Sequence, residues 1–177
     1  VEKYCAGPKL SCDTEYNLVH PTFPVLVDGE HTGFDSAACT GCAVNTPDNL
    51  TDSVLTNYAD IQIPSALLAF GSAAVVNPID TYPAGSFAGF LMEDTNNLLN
   101  LDLFQGLTVR TFNNGVLQES STGLDLIDLS IIFPILGQTG VKRVGFITTK
   151  PFDEIQLVSG SLGSTFNDIR IYHAIIR

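Results

Sequence analysis

The dipeptide Asn114-Gly115 stands between two stretches, LTVRTFN and VLQES, in which apolar and polar residues alternate. A chain with that pattern folds back on itself. Two-residue hairpin loops need positive φ at both central positions, and Asn followed by Gly meets that need at the least cost. Three more strand-like stretches follow, VKRVGFITT, KPFDEIQLVSG and NDIRIYHAIIR, divided by Pro, Gly and Ser. Apolar residues recur at every second position at Ile155 and Leu157, then at Ile169 and Ile171, the period of a half-buried strand. The span 107–177 is therefore predicted to be antiparallel β-sheet.

Upstream, residues 58–63 alternate as a strand. SALLAFGSAAVV is apolar on both faces, which fits a central strand or a short buried helix, and the surrounding residues favour the strand. TYPAGSFAGFLM places a Pro-Gly turn before a strand rich in Phe and Gly. DTNNLLNLDLF suits a short helix capped by Asp94 or Thr95, and LDLIDLSIIF suits another strand. Nine or ten strands and at most one or two helical turns predict an all-β, antiparallel β-sandwich. A chain of 177 residues, 45% of them hydrophobic, has enough apolar mass for one domain with a true core.

Residues 1–44 read differently. They hold all four cysteines, Cys5, Cys12, Cys39 and Cys42, with Pro8, Pro21 and Pro24, and offer one short strand in PTFPVLVD. A loop-rich segment of this kind has little core of its own and needs cross-links. The expectation is a disulfide-bonded N-terminal flap on a sandwich formed by 45–177. An even number of cysteines in one such segment points to two disulfides and an oxidising compartment, with three pairings open. Cys39-Thr-Gly-Cys42 also has the spacing of half a four-thiolate zinc site, although Cys5 and Cys12 lie too far apart for the other half.

Eight basic against nineteen acidic side chains give a net charge of -11. Nucleic acid is thereby excluded as an expected partner, since phosphate binding needs clustered Lys and Arg. Cations that prefer oxygen ligands are favoured, Ca²⁺ among them. No apolar run reaches the roughly 18 residues of a membrane span, so membrane insertion is not expected. The start, VEKYCAGP, lacks a signal-peptide core and reads as a mature or trimmed end.

The stretch from Asn49 to Tyr58, NLTDSVLTNY, resembles a loop of the discoidin, or galactose-binding-like, jelly-roll modules. Those modules often carry Asn-x-x-Asp-Gly-x-x-x-Thr-x-aromatic ahead of an early strand. Asn49, Asp52 and Thr56 match, while Ser53 replaces the usual Gly and Tyr58 or Ala59 the common Trp. LTVRTFNNG resembles a strand and polar-Gly turn of the same modules, and FDEIQLVSG with FNDIRIY their closing strand pair, so the likeness spans 45–177. It implies a structural calcium ion held by Asp52 and Thr56 with nearby carbonyls; Asp168, entering the last strand, is a weaker candidate ligand. The local alternative is an Asx-turn closed by Asp52 on its own backbone.

The resemblance also implies a non-catalytic, secreted or cell-surface module that binds glycan, as part of an adhesin or carbohydrate-active protein. Its partner is then a glycan or another surface protein. With no Trp in the chain, Tyr58, Tyr82, Phe87 and Phe112 remain as rings for a sugar, and Asn96, Asn97, Asn113 and Asn114 as turn amides for its hydroxyls. A structural spacer of a surface filament is the alternative, and a glycoside hydrolase comes third. No Gly-x-Ser-x-Gly, His-Glu-x-x-His or phosphate-binding loop motif occurs. Of the three histidines, His173 shares the phase of Ile169 and Ile171 and is expected in the core, packed and hydrogen-bonded. His31, with Asp28, Glu30 and Asp35, forms the one mixed His–carboxylate cluster, either a metal site or a solvated turn. Asn49-Leu50-Thr51 also fits an N-glycosylation acceptor.

Overall fold

A computed structural model describes residues 14–34, 39–64, 68–94, 105–128, 140–162 and 167–177. Among these, thirteen strands form two antiparallel sheets packed as a jelly-roll-type sandwich. The strands are β1 (Tyr16–Asn17), β2 (Leu26–Val27), β3 (Gly33–Phe34), β4 (Ala43–Asn45), β5 (Ala59–Ile63), β6 (Leu68–Val76), β7 (Phe87–Asp94), β8 (Leu107–Asn113), β9 (Val116–Thr122), β10 (Ile127–Asp128), β11 (Val141–Ile147), β12 (Glu154–Leu162) and β13 (Asn167–Ile176). The larger sheet runs β10-β11-β7-β13-β5-β4, with β1 alongside β13. The smaller runs β2-β6-β12-β8-β9, with β3 alongside β6.

Alternation sets which face each strand buries. In β5, ADIQI, Ala59, Ile61 and Ile63 point inward and Asp60 and Gln62 outward. The inner faces meet through Phe90, Met92, Val109, Ile155, Leu157 and Ile169. The described part of SALLAFGSAAVV, Leu68–Val76, is strand β6, paired with β12 on one side and with β2 and β3 on the other. The described part of the N-terminal flap does more than lie on the sandwich, because β1, β2 and β3 extend both sheets. Cys39 and Cys42 are joined by a disulfide, so these two thiolates are not half of a zinc site. Cys5, Cys12, Asp35 and the proposed helix at 95–104 lie outside the described residues.

The Asn114-Gly115 hairpin is present, joining β8 to β9. Its φ angles are +50° at Asn114 and +73° at Gly115, as a two-residue primed turn requires. Nothing lies within 4 Å of a Cβ placed at 115, so the constraint there is conformational alone. Gly115→Val should cost on the order of 1–3 kcal/mol, the range for a strained backbone position. A urea midpoint unchanged from that of the parent chain would show that the turn carries no such constraint.

One expectation needs correction. His173 is buried, but it does not share the face of Ile169 and Ile171. The register of β13 against β7 shifts between Ile171 and His173, a bulge in which Tyr172 is the extra residue. Past it the phase reverses: Ala174 and Ile176 enter the main core, while Ile175 packs with Phe87 and Leu91 on the outer face. His173 therefore stands on the outer face of the larger sheet, opposite Leu91. One inserted residue reverses the faces of a strand whose period is two. Nor is the ring fully hydrogen-bonded, since its Nδ1 has no partner.

On that same face Gly89 and Gly145 lie directly opposite each other on β7 and β11. The Phe87 ring folds over both. A methyl carbon at 145 would sit 2.7 Å from that ring and 2.6 Å from the Gly89 Cα, and closer still to the Ala88 carbonyl oxygen.

Candidate functional site

A cleft of about 590 Å³ lies on the outer face of the smaller sheet. Its floor comes from three neighbouring strands: Phe70 and Ser72 of β6, Gln156 and Val158 of β12, and Arg110 of β8. All five sit at outward-facing positions of their strands, whose inward neighbours Ala69, Ala73, Ile155, Leu157 and Val109 are core. Register places Arg110 beside Gln156, and Ser72 beside Val158. Gly160 pairs with Phe70, and a Cβ at 160 would stand 2.8 Å from the Phe70 ring. The missing side chain lets the ring rest on β12, and Phe70 remains 38% exposed.

One wall is the segment Glu30–Phe34, which includes β3. It is fixed to the sheet by backbone and side-chain bonds together. The His31 carbonyl accepts from Ser72 Oγ (3.0 Å) and from Gln156 Nε2 (2.8 Å). Thr32 Oγ1 accepts from the Ala74 N–H (3.0 Å). The His31 ring stacks on Phe112 with centroids 4.3 Å apart. Its Nδ1 lies 2.6 Å from Glu154 Oε1 and 3.3 Å from Asp28 Oδ2. Glu154 is only 1% exposed, and burial raises its pKa, an effect that the His31 hydrogen bond opposes.

Asp28, His31 and Glu154 place one ligand-type atom each within 4.8 Å of one another. The mixed nitrogen and oxygen set differs from the cluster read in the sequence, where Glu30 and Asp35 accompanied Asp28 and His31. Here Glu30 is on the exposed cleft rim, and its place is taken by a residue from β12. In the tautomer that carries a proton on Nδ1, the N–H would lie between the two carboxylates and hold the set together without an ion. Its visible effect is to clamp the wall to the floor.

The residues singled out in the sequence lie elsewhere. Tyr82 is buried, with Asn77 Nδ2 donating to its hydroxyl at 2.9 Å, and burial pushes its pKa up to about 12. Tyr58 meets Tyr172 edge-on at 6.0 Å and carries the Arg170 guanidinium 4.7 Å above its ring. Phe87 covers the glycine pair. Phe112 is the sequence-predicted ring that comes nearest the cleft, beneath His31. Asn113 and Asn114 form the hairpin tip, where the Asn114 N–H donates to Asp153 (2.8 Å) and its side-chain amide to Asn113 (2.9 Å). Asn96 and Asn97 lie outside the described residues.

In the 46–58 loop, Asp52 closes an Asx-turn on the Val54 N–H (2.9 Å) and accepts from Asn57 Nδ2 (2.7 Å). Asn57 Oδ1, beside it, is buried without a partner. Thr56 is exposed on the same loop, whereas Asp168 sits on β13 opposite Gln62. Asn49 donates its amide to the Tyr58 carbonyl (2.8 Å), so it braces the loop. The floor residues Arg110, Gln156, Ser72 and Phe70 escaped the sequence reading. The available signal was phase: in LTVRTF, Arg110 falls on the face opposite Leu107 and Val109, and Phe70 falls on the outward phase of β6.

Fold and cleft together define a jelly-roll sandwich with a polar, ring-bearing groove on one sheet. No protein-family model matches the chain, and no curated protein matches it in sequence. Solved structures similar to it include the galactose-bound family 32 carbohydrate-binding module of Clostridium perfringens NanJ. That match has 14% identity over 93% of this chain and 100% of that one, with a TM-score of 0.45. Another is CBM32-2 of a family 31 glycoside hydrolase bound to GalNAc, at 12% identity over 86% and 95%, TM-score 0.42. A third is a point mutant of the family 29 carbohydrate-binding module CBM29-2 complexed with mannohexaose, at 14% identity over 81% and 79%, TM-score 0.38. Among the described residues no helix is long and apolar enough to cross a membrane.

Proposed function

We propose that the cleft on the smaller sheet binds a glycan without transforming it, in a secreted or surface-displayed protein. The observation that carries this reading is the floor itself, where an exposed ring, Phe70, lies in line with a guanidinium, an amide and a hydroxyl on rigid strands. Sugars present an apolar ring face and a rim of hydroxyls, and such a floor offers a surface for each. Gln156 is held in place by its Nε2, which donates to the His31 carbonyl, while its Oε1 is buried without a donor. Glycoside hydrolysis commonly needs two carboxylates across the scissile bond, and the described lining supplies one, Glu30.

Structural calcium belongs to the same proposal. Asp52 and the unmatched Asn57 Oδ1 are neighbouring hard oxygen donors in one loop, the donor type that Ca²⁺ takes. Thr56 and the loop carbonyls would complete the shell, and Asp168 is held as a weaker candidate.

The test is a broad glycan array followed by titration calorimetry, with and without chelator. Phe70→Ala should weaken sugar binding by about tenfold, equivalent to about 1.4 kcal/mol, with an unchanged melt. Chelation should lower the melting temperature by several degrees, since a ligand at a hundred times its Kd stabilises by about 2.7 kcal/mol. Absence of binding to any glycan would favour a structural spacer, and a melt indifferent to chelator would leave the loop held by its own hydrogen bonds.

A further inference from the structure

We propose that the cleft selects acidic glycans, and that Arg110 grips the sugar carboxylate; this rests on the glycan reading above. The chain has eight basic side chains among nineteen acidic ones, so a carboxylate partner is easy to supply. The other described cations have partners. Arg143 pairs with Glu15 at 2.7 Å, Arg170 with Glu93 at 3.6 Å, and Lys150 donates to the Gln118 carbonyl at 3.2 Å. Lys142 and Arg177 are engaged as well. The Arg110 side chain makes no ion pair or hydrogen bond with any described residue, although it is half-buried on the cleft floor.

Its surroundings explain why. Across the strands it faces Gln156 on β12 and Ser120 on β9, both neutral. Glu154 is the nearest acid along β12, two residues from Gln156, and its carboxylate is committed to His31. Five N–H donors in a planar fork are thereby left facing a cleft, the arrangement that receives a carboxylate with two parallel bonds. The net charge of the chain does not prevent this. Exposed charges farther away than about 8 Å are screened at physiological salt, whereas a contact pair in a partly desolvated groove is screened much less. Glu30 on the rim is the one described lining residue that opposes an anion.

The experiment measures affinity for four oligosaccharide probes of equal length: a uronic-acid oligomer, its methyl ester, a sulfated oligomer and a neutral hexose oligomer. The free acid should bind best, about thirtyfold tighter than its ester, and its binding should weaken as salt rises. Arg110→Gln should remove that advantage, so that acid and ester bind alike whatever the variant costs both of them in contacts to hydroxyls, with an unaltered melt because no described side-chain contact is lost. Arg110→Lys should restore only part of it, for want of the fork. Glu30→Gln should tighten binding of the acid several-fold. Equal binding of acid and ester, or an equal loss of both in Arg110→Gln, would overturn the proposal while leaving the glycan reading intact. Preference for the sulfated probe would overturn the carboxylate assignment, and binding of none of the four would overturn this proposal, taking the glycan reading with it only where the broad array is blank as well.

Discussion

Gly145→Ala should unfold the sandwich at temperatures where the parent chain is native, or cost about 3 kcal/mol or more if it folds, beyond the usual range for an added methyl. The opposed pair Gly89 and Gly145 brings β7 and β11 together beneath Phe87, with backbone where a side chain would have to go. A flexible neighbour can swing away from an added methyl, but a carbonyl oxygen in a sheet ladder cannot. The strands would have to part along a pairing that runs from Val141 to Ile147, giving up hydrogen bonds on both sides. Gly29→Ala is the matched control, since a Cβ at 29 meets nothing within 4 Å, and it should stay within about 0.5 kcal/mol of the parent. Urea midpoints followed by near-ultraviolet circular dichroism decide the matter. If Gly145→Ala melts with Gly29→Ala, the close approach is softer than the structure indicates.

The second large effect is a loss of stability in acid traceable to His173. Burial, with the Arg143 charge adding to it, lowers its pKa from 6.5 to about 4. Between those values the unfolded chain binds a proton that the folded chain excludes. Stability is therefore complete above pH 6.5 and falls as the pH drops toward 4. The pKa difference corresponds to a loss of about 3 kcal/mol once both states are protonated. The imidazolium would form beside Arg143, which pairs with Glu15, so two like charges would meet there. His173→Leu should flatten the dependence of melting temperature on pH between about 7 and about 4. Parallel curves for the two proteins would assign the acid sensitivity to other groups.

The parts of this architecture that were legible in the sequence are those encoded locally. Asn114-Gly115 specifies its turn from two adjacent residues, and the alternation of β5, β8 and β12 fixes which face each strand buries. His173 was misplaced because a bulge inserts a residue without any signature in side-chain type, and every position after Tyr172 changes face. The cleft was harder still to read. His31 and Glu154 meet across 123 positions of sequence, and nothing in VDGEHTGFD points to β12. Arg110 and Gln156 look like ordinary outward residues until the strand order sets them side by side. Their importance lies in what is missing around them, and neighbours are a property of topology.

The clamp at His31 bears on how long a ligand stays. A wall already fixed by Glu154, Phe112, Ser72 and Gln156 has no ordering left to undergo when a sugar arrives, so little free energy is spent on closing it. Among the described residues no segment closes over the groove as a lid. For a glycan bound as proposed, encounter would then be limited chiefly by orientation, and departure by the contacts themselves. If the protein is displayed in many copies, as the proposed surface role would allow, a long glycan would be held by repetition, and attachment would become firm through number while each contact stayed free to move along the chain.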